Sequence, residues 1–286
     1  MSVPQPAQTA VAPRSAGLEL AILGVGLLGP GLASWASAQG VFKGSDAFVE
    51  APTVLPAPAR LPPAERRRAG PSIRLAMAVA DEALAGTAVD PRQLATVFAA
   101  SGGEGSNCHV LCETLAGPDR HLSPTRFTNS VHNAAAGYWH IAVQSRAAST
   151  SLSAYDGSFG AGLLEAATQI LASRAPVLLV ACDVPYPPPL HALRPLPHPM
   201  GTALLLAPAG FAGAIARIGI ELVPEADAAP ETRCADPALD ALRRALPSAA
   251  GLALFEHLAR NAEGTLVLDG PPSLKLRLTL TRGTAA

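Results

Sequence analysis

The chain has 286 residues, 49% hydrophobic and only 15% charged, with a formal net charge of −1. That excludes a disordered regulator, which needs low hydrophobicity and high charge, and a nucleic-acid protein, whose affinity rests on a basic field. So little charge requires a sheet buried on both faces or a face resting on a partner.

In chain order, residues 1–17 are rich in proline and alanine and predict a disordered tail, leaving 18–286 as one domain. Residues 18–25 read as a buried strand, followed by a turn over 26–31 and a short amphipathic segment through Trp35. The stretch 20–42 carries no charge and passes through Ala36-Ser37-Ala38, a pattern shared with export signals. Glu19 at its start and Gly29-Pro30-Gly31 in its middle oppose a continuous apolar helix. We read it as strand and turn, and the protein as soluble and cytoplasmic, with no membrane span.

Residues 51–63 are proline-rich and predict an irregular connection. Ser72 is placed as the cap of a helix carrying Ile73, Met77 and 80–84. Further along, 94–99 is a strand, 107–115 a helix, 130–143 a small-residue helix, 149–154 a strand and 159–173 a helix. The apolar run 177–181 suits a central strand. After a proline-rich bridge over 186–199, strands are predicted at 202–206 and 214–223, helices at 237–245 and 249–260, a short apolar run at 266–268 and a closing strand at 274–280. Alternating strands and helices give an α/β fold with helices layered on a mixed sheet.

Several motifs carry possible chemistry. Gly24-x-Gly26-x-x-Gly29 matches the dinucleotide fingerprint, but Pro30-Gly31 stands where its helix should start. It is read as a structural turn, and no cofactor is expected. Cys108-His109-x-x-Cys112 resembles half a metal site with no second half. The four cysteines are read as ordinary buried thiols, with no metal. Asp156-Gly157-Ser158-Phe159-Gly160 is one position away from the G-x-S-x-G nucleophile elbow, between a strand and a helix. A serine-dependent acyltransferase or hydrolase using Ser158 is therefore one reading, although His191, His198 and His257 stand in no recognisable triad frame.

The strings LELAILGVGLLGPG (18–31), PPAERRR (62–68), FAASGG (98–103), SPTRFTNSVHNAAAGYW (123–139) and LSAYDGSF (152–159) carry a family resemblance. The chain resembles the β-ketoacyl synthase branch of the thiolase superfamily, in particular the short chain-length factors of aryl-polyene-type fatty-acid clusters. The likeness runs from about 18 to 223. Asn133 and Gly137 fall on an N-x-x-x-G helix of synthases, and Arg146 on an arginine in the following turn. The resemblance implies a thiolase-like layered fold with a full N-terminal half and an abbreviated C-terminal half.

The same resemblance places the acyl-accepting cysteine of a synthase at Asp156 or Gly157, depending on the counting. A thioester-holding thiolate is missing there, and no histidine motif for malonyl decarboxylation follows Val223. The implied function is a non-catalytic subunit that pairs with a catalytic β-ketoacyl synthase and shapes its acyl tunnel, with substrate carried on an acyl carrier protein. Interface segments are placed at 128–139, with His132, Asn133, Gly137 and Trp139, and at 149–159. Tyr155 and Phe159 are the tunnel-wall candidates.

Overall fold

A computed structural model describes residues 18–188 and 190–283; the tail predicted over 1–17 lies outside them. The chain opens with β1 (Leu18–Leu28), α1 (Trp35–Lys43), α2 (Pro63–Arg68), α3 (Pro71–Leu84) and β2 (Ala95–Ala99). It continues through α4 (Gly105–Ala116), α5 (Pro124–Asn129), α6 (Ala134–Val143), β3 (Ser149–Leu152), α7 (Ser158–Ser173) and β4 (Val177–Asp183). Then come α8 (Leu190–Leu193), β5 (Met200–Pro208), β6 (Ala216–Pro224), α9 (Pro237–Ala245), α10 (Leu252–Ala259), β7 (Gly264–Asp269) and β8 (Leu274–Arg282).

The strands form one mixed sheet in the order β3-β2-β4-β5-β1-β6-β8-β7. β2 runs parallel to β3 and β4, and every other pairing is antiparallel. β4 is buried at every residue, which explains its unbroken apolar run. On one face α3 and α6 bury Ile73, Met77, Val79 and Trp139 against Leu178, Val180 and Leu205. On the other, α7 and α10 pack Leu163, Ile170, Leu254 and Phe255 against Leu179, Leu204, Ile218 and Leu278. Helix α7 touches both β2 and β7, which lie near opposite ends of the strand order, so the sheet curls around it. The abbreviated second half supplies that curl through β6, β8 and β7.

Gly24 and Gly26 lie within β1, where a turn was expected from residue 26. A Cβ at Gly24 would stand 1.9 Å from the Ala83 carbonyl oxygen, and one at Gly26 1.9 Å from that of Val79. The paired glycines thus let α3 settle onto the strand backbone. The chain reverses afterwards, over Gly29–Leu32, where Gly31 has a φ of +69°. The segment resembling an export signal is a central strand followed by α1, whose cap Ser34 accepts the Ser37 N–H at 3.0 Å. Among the described residues no helix is long and apolar enough to cross a membrane.

Helix α6 begins at Ala134, four residues later than predicted, because a turn separates it from α5. α5 was not anticipated. Its cap Ser123 accepts the Arg126 N–H at 3.4 Å. Ser72 sits inside α3, whose N-cap is Gly70, and both its N–H and its hydroxyl donate to the buried Glu104 carboxylate.

Candidate functional site

The segment between β3 and α7 makes a sharp strand-to-helix turn. Tyr155 has a φ of 53°, a left-handed conformation that a bulky side chain rarely adopts and that costs on the order of 1–3 kcal/mol. Ser158 holds the turn shut. Its hydroxyl donates to the Tyr155 carbonyl at 2.7 Å and accepts the Ala154 N–H at 3.0 Å. The Gly157 N–H closes the turn on the Ala154 carbonyl at 3.0 Å.

Glycine is obligatory at 157 and 160 for a reason unrelated to catalysis. A Cβ at Gly157 would stand 2.2 Å from the Gly270 carbonyl oxygen, and one at Gly160 2.1 Å from that of Asp269. The end of β7 presses directly on the first turn of α7. Phe159 is fully buried, with its ring against Gly251 at the start of α10. It belongs to the core under the elbow.

The Ser158 nucleophile reading is also corrected. Its side chain is 2% exposed and both roles of its hydroxyl are spent on backbone groups of its own turn. No histidine is among its hydrogen-bond partners. A nucleophilic serine needs a free Oγ facing a base.

Asp156 and Tyr155 both point outward and meet Arg194, the residue directly after α8. The guanidinium donates to the Asp156 carboxylate at 2.7 Å, and its central carbon stands 3.6 Å from the Tyr155 ring centre. Burial pulls the Arg194 pKa down, but its bonds to Asp156 and Tyr186 outweigh this and raise it, so it remains charged. Beside the elbow runs a groove of about 660 Å³, lined by Tyr155, Asp156, Leu193, Arg194, Leu246 and Pro247 among others.

A family model for the β-ketoacyl synthase N-terminal domain matches residues 34–262. The chain belongs to the β-ketoacyl synthase family. The match starts after β1 and reaches through α10, so it extends past the limit of about 223 expected from the sequence strings.

Solved structures share this synthase fold. A complex of the ketosynthase ApeO with its chain length factor ApeC from Xenorhabdus doucetiae includes a chain 24% identical, with a TM-score of 0.67, covering 91% of this chain and 98% of its own. The ishigamide ketosynthase/chain length factor gives 16% identity and a TM-score of 0.69, covering 92% and 99%. A type II ketosynthase complex with its acyl-carrier protein (AntDE:AntF) gives 12% identity and a TM-score of 0.67, covering 93% and 99%. No curated protein sequence matches. In this synthase-family chain the fold is thiolase-like, as the strings implied.

The other predicted site residues of this β-ketoacyl synthase relative fall apart into two settings. His132, Asn133 and Gly137 are exposed around the start of α6, together with Val131 and, on α5, Phe127. A Cβ on Gly137 would meet nothing within 4 Å. Trp139 instead points into the core between α6 and α3, fully buried. It is not a surface residue. His257, the one histidine after Val223, is tied to the Ala253 carbonyl of its own helix at 2.9 Å.

The cysteines divide likewise. Cys182 and Cys234 are buried, with burial pushing the Cys182 thiol up and the Cys234 thiol up to about 12. Cys108 and Cys112 are exposed on α4, which corrects their reading as buried thiols. Among the described residues no group of three His, Cys, Asp or Glu side chains could hold a metal.

Sequence reading missed an ion network on the groove's far wall. The Lys275 ammonium donates to Glu231 at 2.8 Å and Asp269 at 2.9 Å, while Arg243 donates to Glu231 at 3.1 Å and Asp240 at 2.8 Å. Burial pulls the Glu231 carboxyl up, but the Lys275 and Arg243 bonds prevail and hold it below the usual range. Asp240 is lowered in the same way, burial being outweighed by Arg243. The signal available was Lys275 itself, one of only two lysines in the chain.

Proposed function

We propose that the chain is a non-catalytic, synthase-like subunit that pairs with a catalytic β-ketoacyl synthase and shapes the acyl tunnel of the pair. The elbow carries this reading. At the strained residue, where an elbow projects its nucleophile, stands Tyr155; its neighbours are an ion-paired Asp156, a packed Gly157 and a spent Ser158. None of these holds an acyl group as a thioester, and Claisen condensation by a synthase needs that step. The fold is retained and the chemistry is not.

Pairing is supported by the sheet edge. β3 is hydrogen-bonded to β2 alone, and it lies within the interface segment proposed at 149–159. Val131 and Phe127 lie 47% and 62% exposed nearby. The solved ketosynthase/chain length factor pairs of the same fold support such a partner, and the acyl-carrier complex supports substrate delivery on a carrier protein. A packed apolar wall in the shared tunnel would set product length by rejecting further methylenes.

The deciding experiment is copurification with a ketosynthase encoded beside it, with product analysis in the presence and absence of this chain. We expect a stable heterodimer and defined polyene or fatty products only when both are present. Carbon–carbon bond formation from a malonyl carrier by this chain alone would overturn the reading.

A further inference from the structure

The elbow's outward side chain, Tyr155, is stacked on Arg194. The Arg194 side chain is 16% exposed, whereas that of Asp156 is 61% exposed and Tyr155 62%. The guanidinium therefore forms the inner layer of a stack, with the Tyr155 ring over it at 3.6 Å and the Asp156 carboxylate at 2.7 Å. Its Nε is buried and makes no hydrogen bond. A flexible surface arginine would turn that group to water, so the head is held by its planar contacts.

Behind it lies Tyr186, whose side chain adds to the raised Arg194 pKa and whose ring is packed against the loop after β2: a Cβ on Gly102 would stand 2.2 Å from the Tyr186 hydroxyl, and one on Gly105 3.1 Å from its ring. A chain of contacts thus runs from Gly102 through Tyr186 and Arg194 to the elbow. A guanidinium meets an aromatic face and a carboxylate together through its flat, charged fork, which an ammonium cannot reproduce.

Resting on the partner-subunit reading above, we propose that Arg194 is a specificity-determining positioning residue that pins the Tyr155 ring and so fixes how far an acyl chain extends past the elbow. It touches no reacting atom. It acts by removing the rotamer freedom of the one bulky group at the strained position.

The test uses the full chain in complex with its synthase, carrying Arg194→Ala, Arg194→Lys or Tyr155→Ala. Product lengths are read by mass spectrometry and elbow mobility by hydrogen exchange of the peptide spanning 153–159. Arg194→Ala is expected to lengthen products by at least one two-carbon unit and to speed exchange at least tenfold, in the direction of Tyr155→Ala. Arg194→Lys, which keeps the charge and loses the planar stack, is expected to fall between. If Tyr155→Ala shifts product length and Arg194→Ala leaves it unchanged in an intact complex, the role of Arg194 is overturned and the partner reading stands. If neither changes product length, tunnel shaping by this chain fails, and the proposal with it. Should Arg194→Ala not fold, Asp156→Asn decides: removing the ion pair while keeping the stack should broaden the products, and an unchanged distribution with unchanged exchange overturns the clamp.

Discussion

The Asp183 carboxylate at the end of β4 accepts the Ser248 backbone N–H at 2.9 Å, joining the central strand to the turn before α10. Its other oxygen accepts the Ser101 N–H at 2.8 Å and hydroxyl at 2.7 Å. Three donors from two distant segments thus converge on one buried carboxylate. Asp183→Asn places an amide donor or a weakened acceptor against one of them and should cost about 1–3 kcal/mol. Asp183→Ala leaves all three unpaired and should cost more. Urea unfolding of the purified chain or complex orders the two variants; equal stability of both with the parent would remove Asp183 as a tie.

Burial raises the Asp183 carboxyl in spite of those donors, while Glu231 and Asp240 are lowered by their cations. The signs therefore oppose. Stability from Glu231 and Asp240 is present above their unfolded values of about 4.3 and 3.9 and disappears as pH falls through their lower folded values. The Asp183 contribution is present below about 3.9 and declines as pH rises through its raised folded value. Lys275→Met should cost roughly 1.5–3 kcal/mol at neutral pH and flatten the gain in stability between about pH 3 and 5. Thermal melts across that range measure both effects.

Phe159→Ala empties a fully buried site between α7 and α10 and should cost about 3–5 kcal/mol. Its effect should appear in global stability, not as a selective change in product length. A variant that melts like the parent but makes longer products would place Phe159 on the tunnel wall.

A fluorophosphonate should leave Ser158 unlabelled, since its hydroxyl is buried and committed at both ends. Ser158→Ala should instead cost about 1–3 kcal/mol by stranding the Ala154 N–H and Tyr155 carbonyl. Labelling of Ser158 in the isolated chain, detected by peptide mapping, would restore the hydrolase reading.

Val131→Asp probes the proposed interface, because Val131 is 47% exposed and away from the packed core. The free chain should change stability by no more than about 0.5 kcal/mol. Association with the synthase should weaken at least tenfold, read by analytical ultracentrifugation or interferometry. Unchanged affinity would move the interface off this face.

Local patterns were readable where short-range physics dominates. The β4 run announces a strand buried on both faces. α9 was bounded correctly because Asp236 caps it, accepting the Ala238 N–H at 2.7 Å, with Pro237 in its first turn. α5 escaped notice because six residues of mixed polarity show no helical period. The elbow segment was legible, but its strained residue was not, since a tyrosine gives no sign of positive φ. The Arg194–Asp156 and Lys275–Glu231 pairs were invisible for another reason: the partners lie 38 and 44 residues apart in sequence, and only the fold brings them together.

The seam between β1 and α3 has a consequence for how this chain tolerates change. At Gly24 and Gly26 even alanine would collide with a helix carbonyl, in a sheet whose neighbouring strands leave no room for retreat. A saturation library should show two empty columns there, two residues apart, in a strand where hydrophobic exchanges are otherwise permitted. Drift in this protein is thus channelled: side chains along β1 exchange only within the volume of two packed cores, while the distance between backbone and helix is held constant by the absence of two methyl groups.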